Sequence, residues 1–449
     1  MNRQTVLGIE LGEGTARAPR YRAYPTYRDS GVDWLGRMPS HWECAALRRV
    51  TISKCDGPFG SGLKSEHYSD GGVRVVRLQN VRSGQFLDED QGFISHDYYR
   101  TLGDHDVRQG DLLLAGLGDE QHPVGRACVA PAGICPAMVK ADCFRFRLIT
   151  ARAHAQYLAH FLSASAHLAP GRDCTGTTRQ RMNLSNMASR VVFLPPLPEQ
   201  RAIAAFLDRE TGRIDTLIAK KERLIKLLGE KRTALISHAV TKGLNPSAPM
   251  KDSRVAWLGE VPAHWQVKRL KFAVTFQRGH DLPASERMEG AVPVVTSAGP
   301  SGWHNQRAAR GPGIVTGRYG TIGTFHLIEG DYWPLNTTLY SIDLHNNVPA
   351  FLWHMLHVLT DVFLVNAGKS AVPGVDRNDL HPLLVAVPPE HEQSAIVQFL
   401  DDELHKFEEL ASRVQTAVER LREYRSALIS AAVTGKIDVR ELNPGGAAC

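Results

Sequence analysis

Two long stretches of the chain carry apolar residues at close to heptad spacing, with charged residues on the other faces. One covers residues 199–241, without proline and with only Gly212 and Gly229 as glycines, and the other covers residues 392–434 with neither. A helix of this length measures roughly 65 Å. The predicted inner rows are Leu207, Ile214, Leu228 and Leu235 with Leu217 and Leu224 alongside, and Leu400, Phe407, Val414, Leu421 and Leu428 with Leu410, Ala417 and Tyr424 alongside. The pattern predicts two helices that form a coiled coil, with an ordinary amphipathic pair inside one domain as the alternative.

Residues 48–194 and 271–387 have a different pattern, in which short apolar runs alternate with Gly, Pro, Asp and Asn. Such runs are typical of strands joined by turns. The predicted strands are residues 73–78, 111–115, 124–129, 292–296, 313–317 and 337–342, and a helical stretch follows late in each region, at 156–162 and 351–357. We therefore predict two domains of mixed α/β (α+β) structure, separated by the two long helices.

The chain also repeats itself in an ordered way, which any fold prediction has to accommodate. Residues 29–47, DSGVDWLGRMPSHWECAAL, match residues 252–270, DSRVAWLGEVPAHWQVKRL, without a gap at an offset of 223. We call these two segments the tryptophan blocks. Further ungapped matches, at an offset of 193, join residues 195–210 to 388–403 and 232–241 to 425–434. Because the offsets differ by 30, the second variable region is 30 residues shorter than the first. The repeat as a whole predicts a pseudo-two-fold arrangement.

The repeat sets the predicted domain borders. These are an N-terminal arm at 1–28, a first domain at 29–195, a central helix segment at 196–245, a second domain at 246–388, and a C-terminal helix with its tail at 389–449. No apolar run reaches the roughly 20 residues of a membrane helix and no secretory segment opens the chain, so we expect a cytoplasmic protein.

Composition and motifs limit the binding and catalytic roles that the chain can have. The net charge of +6 permits contact with phosphates without requiring it. The seven scattered cysteines contain no Cys-x-x-Cys pair, so we expect reduced structural thiols and no metal site. The chain lacks a Gly-x-x-x-x-Gly-Lys-Ser/Thr phosphate loop, an Asn-Pro-Pro-aromatic tetrapeptide and a nuclease-type carboxylate arrangement. We therefore expect no catalysis by this chain and no cofactor in it.

The motifs D-S-x-V-x-W-L-G-x-x-P-x-H-W, P-P-x-x-E-Q-x-x-I-x-x-F-L-D and A-L-I-S-x-A-V-T each occur twice in the same order. Over about residues 21–442, this set resembles the specificity subunit of type I restriction–modification systems. The resemblance implies two target-recognition domains that each read one half of a split, asymmetric double-stranded DNA site. It further implies an antiparallel coiled coil that sets the spacer between the halves.

The resemblance also implies partners. Two methyltransferase subunits would bind the chain and carry S-adenosylmethionine, and motor–nuclease subunits would use ATP and Mg²⁺. The alternatives are a recognition subunit of a modification-only system and a coiled-coil scaffold that binds proteins alone. Two large domains with basic polar loops argue against the scaffold.

Candidate DNA-binding residues were chosen by chemistry, because Arg and Lys suit guanine and phosphate while Asn and Gln suit adenine. Polar loops rich in Gly, Ser, Thr and Arg, at 175–183 and 367–374, precede the two proline pairs. The candidates are Lys64, Arg77, Gln79, Asn80, Thr177, Thr178, Arg179, Gln180 and Arg181 in the first domain, and Arg278, Ser297, Arg318, Tyr319, Lys369 and Ser370 in the second. For each one taken singly, a solvated loop residue is the alternative interpretation.

The repeated aromatic and acidic residues have a different expected role. Because they lie in the repeated frame and not in the variable regions, we predict packing anchors and helix-start carboxylates rather than DNA contacts or catalytic groups. These residues are Trp34, Trp42, Trp257, Trp265, His41, His264, Glu199 and Glu392.

Overall fold

The structure is a computed structural model that describes residues 21–33, 35–59, 62–119, 122–168, 174–175, 180–361, 364 and 374–442. The chain forms two compact units. The first unit comprises residues 1–220 and 417–449, and the second comprises residues 221–416. Each unit therefore contains part of both long helices, whereas the predicted borders assigned each helix to a segment of its own.

Among its described residues, the first unit has thirteen strands, three short helices and parts of the two long helices. Its strands are β1 (Tyr27–Asp29), β2 (Arg37–Pro39), β3 (Glu43–Ala46), β4 (Thr51–Cys55), β5 (Tyr68–Ser69), β6 (Val73–Val76), β7 (Phe93–Ile94), β8 (Asp106–Val107), β9 (Leu112–Ala115), β10 (Ala127–Val129), β11 (Ala137–Val139), β12 (Cys143–Leu148) and β13 (Val191–Leu194). Its short helices are α1 (His96–Leu102), α2 (Ala155–Leu168) and α3 (Leu184–Ser189), and the first long helix is α4 (Leu197–Lys242).

In the described parts of the chain, the second unit contains eleven strands and several short helical segments besides its parts of the long helices. Its strands are β14 (Met250–Asp252), β15 (Glu260–Pro262), β16 (Gln266–Arg269), β17 (Thr275–Arg278), β18 (Val292–Thr296), β19 (Gly299–His304), β20 (Gly313–Gly317), β21 (Phe325–Ile328), β22 (Trp333–Pro334), β23 (Thr338–Asp343) and β24 (Leu384–Val387). Its short helices are α5 (Pro349–Val358) and α6 (Arg377–Leu380), and the second long helix is α7 (Glu390–Val433). Turns of 3₁₀ helix occur at Leu47–Val50, Ser65–His67, Leu78–Asn80, Leu270–Phe272, Ala284–Glu286 and Arg440–Leu442.

Both units contain the same four-stranded antiparallel sheet. Its order is β10-β9-β12-β4 in the first unit and β21-β20-β23-β17 in the second. Helix α2 packs against β9 and β10, and α5 packs against β20 and β21. The strands and short helices predicted in the variable regions are thus confirmed, and the two regions share more of their fold than their sequences indicate.

The units differ in their second sheet. The first unit has five strands in the order β5-β7-β6-β11-β8, and the second has three in the order β19-β18-β22. Each includes one parallel pair, β6 with β11 and β18 with β22. In the first unit β7, α1 and β8 lie between β6 and β9 in the chain, which is where the longer variable region has a large part of its additional residues.

The long helices α4 and α7 pair as an antiparallel coiled coil. In the first unit, Nε of Arg425 donates to Oδ1 of Asp215 at 2.8 Å. In the second unit, Arg232 lies 3.6 Å from Glu408. From the first pair to the second, the residue number rises by 17 on α4 and falls by 17 on α7, as a constant antiparallel register requires.

The predicted inner rows need a correction. Leu217, Leu224 and Leu410 are 44%, 40% and 45% exposed. Ile218 on α4 packs against the core of the first unit instead, and Leu404 and Val418 on α7 are buried. The sequence offers Leu217 next to Ile218 and Leu224 next to Ile225, and a residue one step along the helix lies about 100° away from its neighbour.

Segments from both ends of the described chain meet in the core of the first unit. Tyr21 and Tyr24 are buried there together with Leu428, Ile437 and Val439. Arg22 also forms a β-bridge with Asp438. Tyr21 and Tyr24, which lie in the segment that we assigned to an N-terminal arm, therefore belong to this core, and the partly buried Tyr27 packs against it.

Candidate nucleic-acid interface

In the first unit, the tryptophan block is fastened to the start of α4 by Glu199. Trp42 donates from Nε1 to Oε1 of this carboxylate at 2.9 Å, and Nε2 of His41 lies 2.8 Å from Oε2. The hydroxyl of Tyr24 donates to Oε1 at 2.6 Å. Trp42 is 1% exposed, which confirms its predicted role as a packing anchor.

The second unit repeats this arrangement with Glu392. Trp265 donates from Nε1 to Oε2 at 3.0 Å, and Nε2 of His264 lies 2.5 Å from Oε1. Trp265 is 1% exposed, and Trp257 packs against the same core. Trp34 lies outside the described residues. The Glu of the Pro-Pro-x-x-Glu-Gln motif thus holds the His-Trp pair of the block, which explains why both motifs recur together.

The neighbouring glutamine joins each variable region to the long helix that follows it. Oε1 of Gln200 accepts from the backbone N–H of His154, just before α2, at 2.8 Å. Oε1 of Gln393 accepts from the backbone N–H of Val348, just before α5, also at 2.8 Å. Both amides donate to the carbonyl of the first proline of the preceding pair at 2.9 Å. The repeated frame therefore fixes each variable region against the start of the long helix that follows it.

In the first unit, the loop that follows β9 meets the polar loop at its stem. Leu117 and Thr175 both form β-bridges with Arg181. The Arg181 side chain is half exposed, its Nε donates to Oδ1 of Asp142 at 2.8 Å, and its guanidinium carbon lies 5.3 Å from the ring centroid of Phe59. The ion pair and the ring hold the guanidinium in a defined orientation at the surface.

The rest of this polar loop is only partly described. The carbonyl of Gln180 accepts from the N–H of Gly118 at 3.0 Å, and its side chain is half-buried. The candidates Thr177, Thr178 and Arg179 lie outside the described residues. The structure therefore places the C-terminal stem of the loop beside the loop that follows β9.

The candidates around β6 divide into exposed and internally bonded residues. The side chain of Lys64 is 56% exposed, 3.7 Å from Glu66, and Gln79 is exposed on the turn after β6. The guanidinium of Arg77 pairs with Asp90 and faces the ring of Tyr68. Among the described residues, no hydrogen bond or ion pair joins this group to Arg181.

Asn80 is buried, so its amide does not face solvent. Nδ2 donates to the carbonyl of Leu87 at 2.8 Å, and Oδ1 accepts from the backbone N–H of Arg77 at 2.9 Å. Only 1% of Asn80 is exposed. We correct its assignment accordingly, because in this conformation both ends of the amide are used to shape the turn.

In the second unit, the loop that follows β20 holds two candidates side by side. The guanidinium carbon of Arg318 lies 4.8 Å from the ring centroid of Tyr319, which is 40% exposed. Tyr319 forms a β-bridge with Gly374, at the end of the second polar loop. Ser297 borders the same loop, because its Oγ lies 3.3 Å from the position that a Cβ would take on Gly320.

The remaining candidates of the second unit are more scattered. Arg278 is exposed at the end of β17, where it pairs with Leu339 of β23. Lys369 and Ser370 lie outside the described residues. The two units nevertheless agree in one respect, because the loop after the matched strand, β9 or β20, is bridged to the stem of the polar loop.

Sequence reasoning missed three residues around Arg181, namely Phe59, Asp142 and Asp56. Phe59 is 51% exposed in a loop with several glycines, a composition that could have identified it. Oδ1 of Asp56 accepts from the N–H groups of Gly57 and Asp142 at 2.7 and 2.9 Å. Partial burial, together with the nearby Asp142 carboxylate, raises the pKa of Asp56 to about 6. The hydrogen bonds from the two N–H groups and the charge of Arg181 act in the opposite direction and lower this pKa.

Three further features of the described parts of the chain concern metal sites, reactive thiols and membrane helices. Among those residues, no cluster of three His, Cys, Asp or Glu side chains forms a metal site. The six described cysteines are free thiols, and burial raises the pKa of Cys128 to about 12. No described helix has the length and apolar character needed to cross a bilayer.

Known proteins resemble the chain along most of its length. The MjaX specificity subunit of Methanocaldococcus jannaschii is 18% identical over 429 residues, which cover 90% of this chain and 96% of that protein. A structure from work on complex assembly and conformational transition of the type I R-M system has a TM-score of 0.67 at 16% identity, covering 88% and 98% of the two chains. The HsdS subunit from Thermoanaerobacter tengcongensis has a TM-score of 0.55 at 16% identity, covering 89% and 98%. At these identities the solved structures show a shared fold.

The family model described as the type I restriction modification DNA specificity domain matches the chain twice. The matches cover residues 62–227 and 262–420, so each includes all or most of one variable region and part of the long helix that follows it. The two copies of the repeat are therefore two copies of this domain. The chain belongs to the family of type I restriction–modification specificity subunits, which recognise the DNA target.

Proposed function

We propose that each recognition domain reads one half of a bipartite, asymmetric DNA site. One observation carries the proposal. In both units the loop after the matched strand is bridged to the stem of the polar loop, yet the bridged residues differ. They are Leu117 and Arg181 in the first unit, and Tyr319 and Gly374 in the second, where Arg318 lies beside Tyr319. Equivalent bridges with different side chains suit two readers of different sequences.

The chemistry of these positions supports DNA contact. A guanidinium offers paired donors that match the O6 and N7 atoms of guanine or the oxygens of a phosphate. Arg181 is oriented by Asp142 and Phe59, so less side-chain entropy is lost when it meets DNA. Lys64 and Gln79 are exposed and suit contacts to phosphate or base. The candidates Thr177, Thr178, Arg179, Lys369 and Ser370 lie outside the described residues and remain part of the proposal because of their side-chain chemistry.

We further propose that the coiled coil sets the spacer between the half-sites and binds methyltransferase subunits. Leucines on the long helices support the second role, because they are 40–48% exposed although leucine is usually buried. They are Leu217, Leu224, Leu227 and Leu410. S-adenosylmethionine, ATP and Mg²⁺ would then act on the methyltransferase and motor–nuclease subunits, and this chain would be non-catalytic within a cytoplasmic complex.

Methylation sequencing of a host that carries the chain with its methyltransferase subunit tests the proposal. We expect a two-part motif with a nonspecific spacer, and a continuous palindrome would overturn it. Exchanging residues 48–194 for those of another family member should change one half of the motif, while a change in both halves would contradict the division of labour. Inserting residues near Gly229 should change the spacer length in an active variant. A further assay distinguishes a restriction–modification system from a modification-only system. Cleavage of unmodified DNA by the complete complex indicates the former.

A further inference from the structure

In the first unit, a tyrosine covers the glutamate that holds the tryptophan block. Tyr24 is 3% exposed, and its hydroxyl donates to Oε1 of Glu199 at 2.6 Å. Its ring centroid lies 5.7 Å from those of His41 and Trp42. Glu199 consequently accepts three side-chain hydrogen bonds and keeps only 6% of its side chain exposed.

A cavity of about 190 Å³ lies at the corresponding place in the second unit. We call it the phenol pocket. Its wall includes Pro262, His264, Glu392 and Ile396. The repeat makes these residues the counterparts of Pro39, His41, Glu199 and Ile203. Of these, His41 and Glu199 contact Tyr24 in the first unit, so the pocket lies beside the counterparts of two residues that Tyr24 contacts. Glu392 accepts two side-chain hydrogen bonds in the described structure, and its side chain is 30% exposed.

The sequence explains why this chain does not fill the pocket itself. The N–H of Ser40 donates to the carbonyl of Thr26 at 3.1 Å, and the N–H of Ala263 donates to the carbonyl of Pro249 at 2.7 Å, so the two copies correspond up to this point. Two residues further upstream, Tyr24 corresponds to Ser247, which is exposed. A serine side chain is too short to occupy a cavity of this size.

We propose that the phenol pocket binds a tyrosine side chain of a partner subunit, in the way that Tyr24 fills the matching site of the first unit. The size fits, because a cavity of about 150 Å³ accommodates benzene. It is too small for a nucleotide cofactor, whose sites are typically about 300 Å³ or larger. A carboxylate can accept about four hydrogen bonds, so Glu392 can receive the hydroxyl without releasing Trp265 or His264.

The pocket itself is tested with p-cresol, the side chain of tyrosine as a free molecule, in calorimetric titrations of the full chain. We expect binding at one site per chain, and clearly weaker binding of 4-methylanisole, whose ring is the same but which has no O–H to donate. Ser247→Tyr should abolish p-cresol binding by supplying the missing ring, and Ala395→Phe should do so from α7. Ser247→Ala should leave binding unchanged. Absence of binding to the wild-type chain, or binding that survives both filling variants, would overturn the proposal.

The identity of the occupant is tested with the methyltransferase subunit, and this part rests on the proposed function. We expect Ser247→Tyr and Ala395→Phe to weaken the complex at least tenfold, with Ser247→Ala unchanged. If p-cresol binds but both filling variants form the complex normally, a partner tyrosine is refuted. If the wild-type chain forms no complex at all, the proposed function fails, while the p-cresol titrations still decide whether the pocket accepts a phenol.

Discussion

The indole nitrogen of Trp42 donates to Oε1 of Glu199 at 2.9 Å, across 157 residues of sequence. This bond joins a strand segment near the start of the described chain to the first turn of α4. The equivalent bond between Trp265 and Glu392 differs mainly in its surroundings, since the second carboxylate is more exposed. The two copies therefore allow the same Trp–Glu hydrogen bond to be compared at a buried carboxylate and at a partly exposed one.

Trp42→Phe should destabilise the first unit more than Trp265→Phe destabilises the second. Removing the partner of a buried acceptor costs about 1–3 kcal/mol, whereas water can replace the indole at a partly exposed carboxylate. Thermal unfolding and hydrogen exchange at the starts of α4 and α7 measure the two effects. Trp257→Phe, in the same block but away from the carboxylate, serves as the control. Equal losses at both sites would contradict the role assigned to burial.

Stability should depend on pH through Asp56. Because its pKa is raised to about 6 in the folded chain, the folded state holds the proton more tightly than the unfolded state does. This contribution is fully present below the pKa of the unfolded state and is lost as the pH rises through about 6. Asp56→Asn keeps an acceptor for the N–H groups of Gly57 and Asp142 and should abolish that part of the pH profile. Denaturant unfolding between acidic and neutral pH measures it, and identical profiles would refute the assignment.

Gly212→Ala and Gly229→Ala should each stabilise the coiled coil by about 0.5–1 kcal/mol. Both glycines lie inside α4, and an added Cβ would meet nothing within 4 Å. Alanine has the higher helix propensity, so the gain comes from the smaller entropy lost on folding. Gly125→Ala is the opposing control, because Gly125 has a φ of 85° and its Cβ would overlap Arg190. A lower melting temperature for both helix variants would show that the glycines serve another purpose.

Arg181→Ala and Arg318→Ala should each alter recognition of a single half-site. A base contact is worth about 1–3 kcal/mol and relaxes specificity at one position, whereas a phosphate contact lowers affinity for all sequences and reduces the salt slope by about 1. Binding of DNA by the assembled methyltransferase complex at several salt concentrations separates these outcomes. Arg100→Ala, on α1 with its side chain 76% exposed, is the control. Unchanged binding and motif in both variants would remove these residues from the interface.

The sequence indicated the long helices well, because heptad spacing and the lack of proline are local properties. Within those helices, Leu217 was assigned to the seam although Ile218 packs there, since several apolar residues in a row leave the seam position ambiguous. The four-stranded sheet shared by both units was beyond sequence reasoning, because strand order depends on pairing between distant segments. Asn80 shows the limit for single residues. The amide groups that suit adenine also suit a turn, and only burial distinguishes the two uses.

The composition of the first unit has a consequence for how the protein is made. Its core combines Tyr21 and Tyr24 with Leu428 and Ile437, whereas the second unit consists of the continuous segment 221–416. A ribosome that synthesises the chain from its N-terminus therefore releases every residue of the second unit before the last core residues of the first exist. Until then, the carboxylate of Glu199 can gain its bonds from Trp42 and Tyr24, but the apolar surface reserved for Leu428 and Ile437 stays uncovered. The domain that is begun first is thus the one that is finished last, and nascent chains are most exposed to aggregation or chaperone binding at that surface.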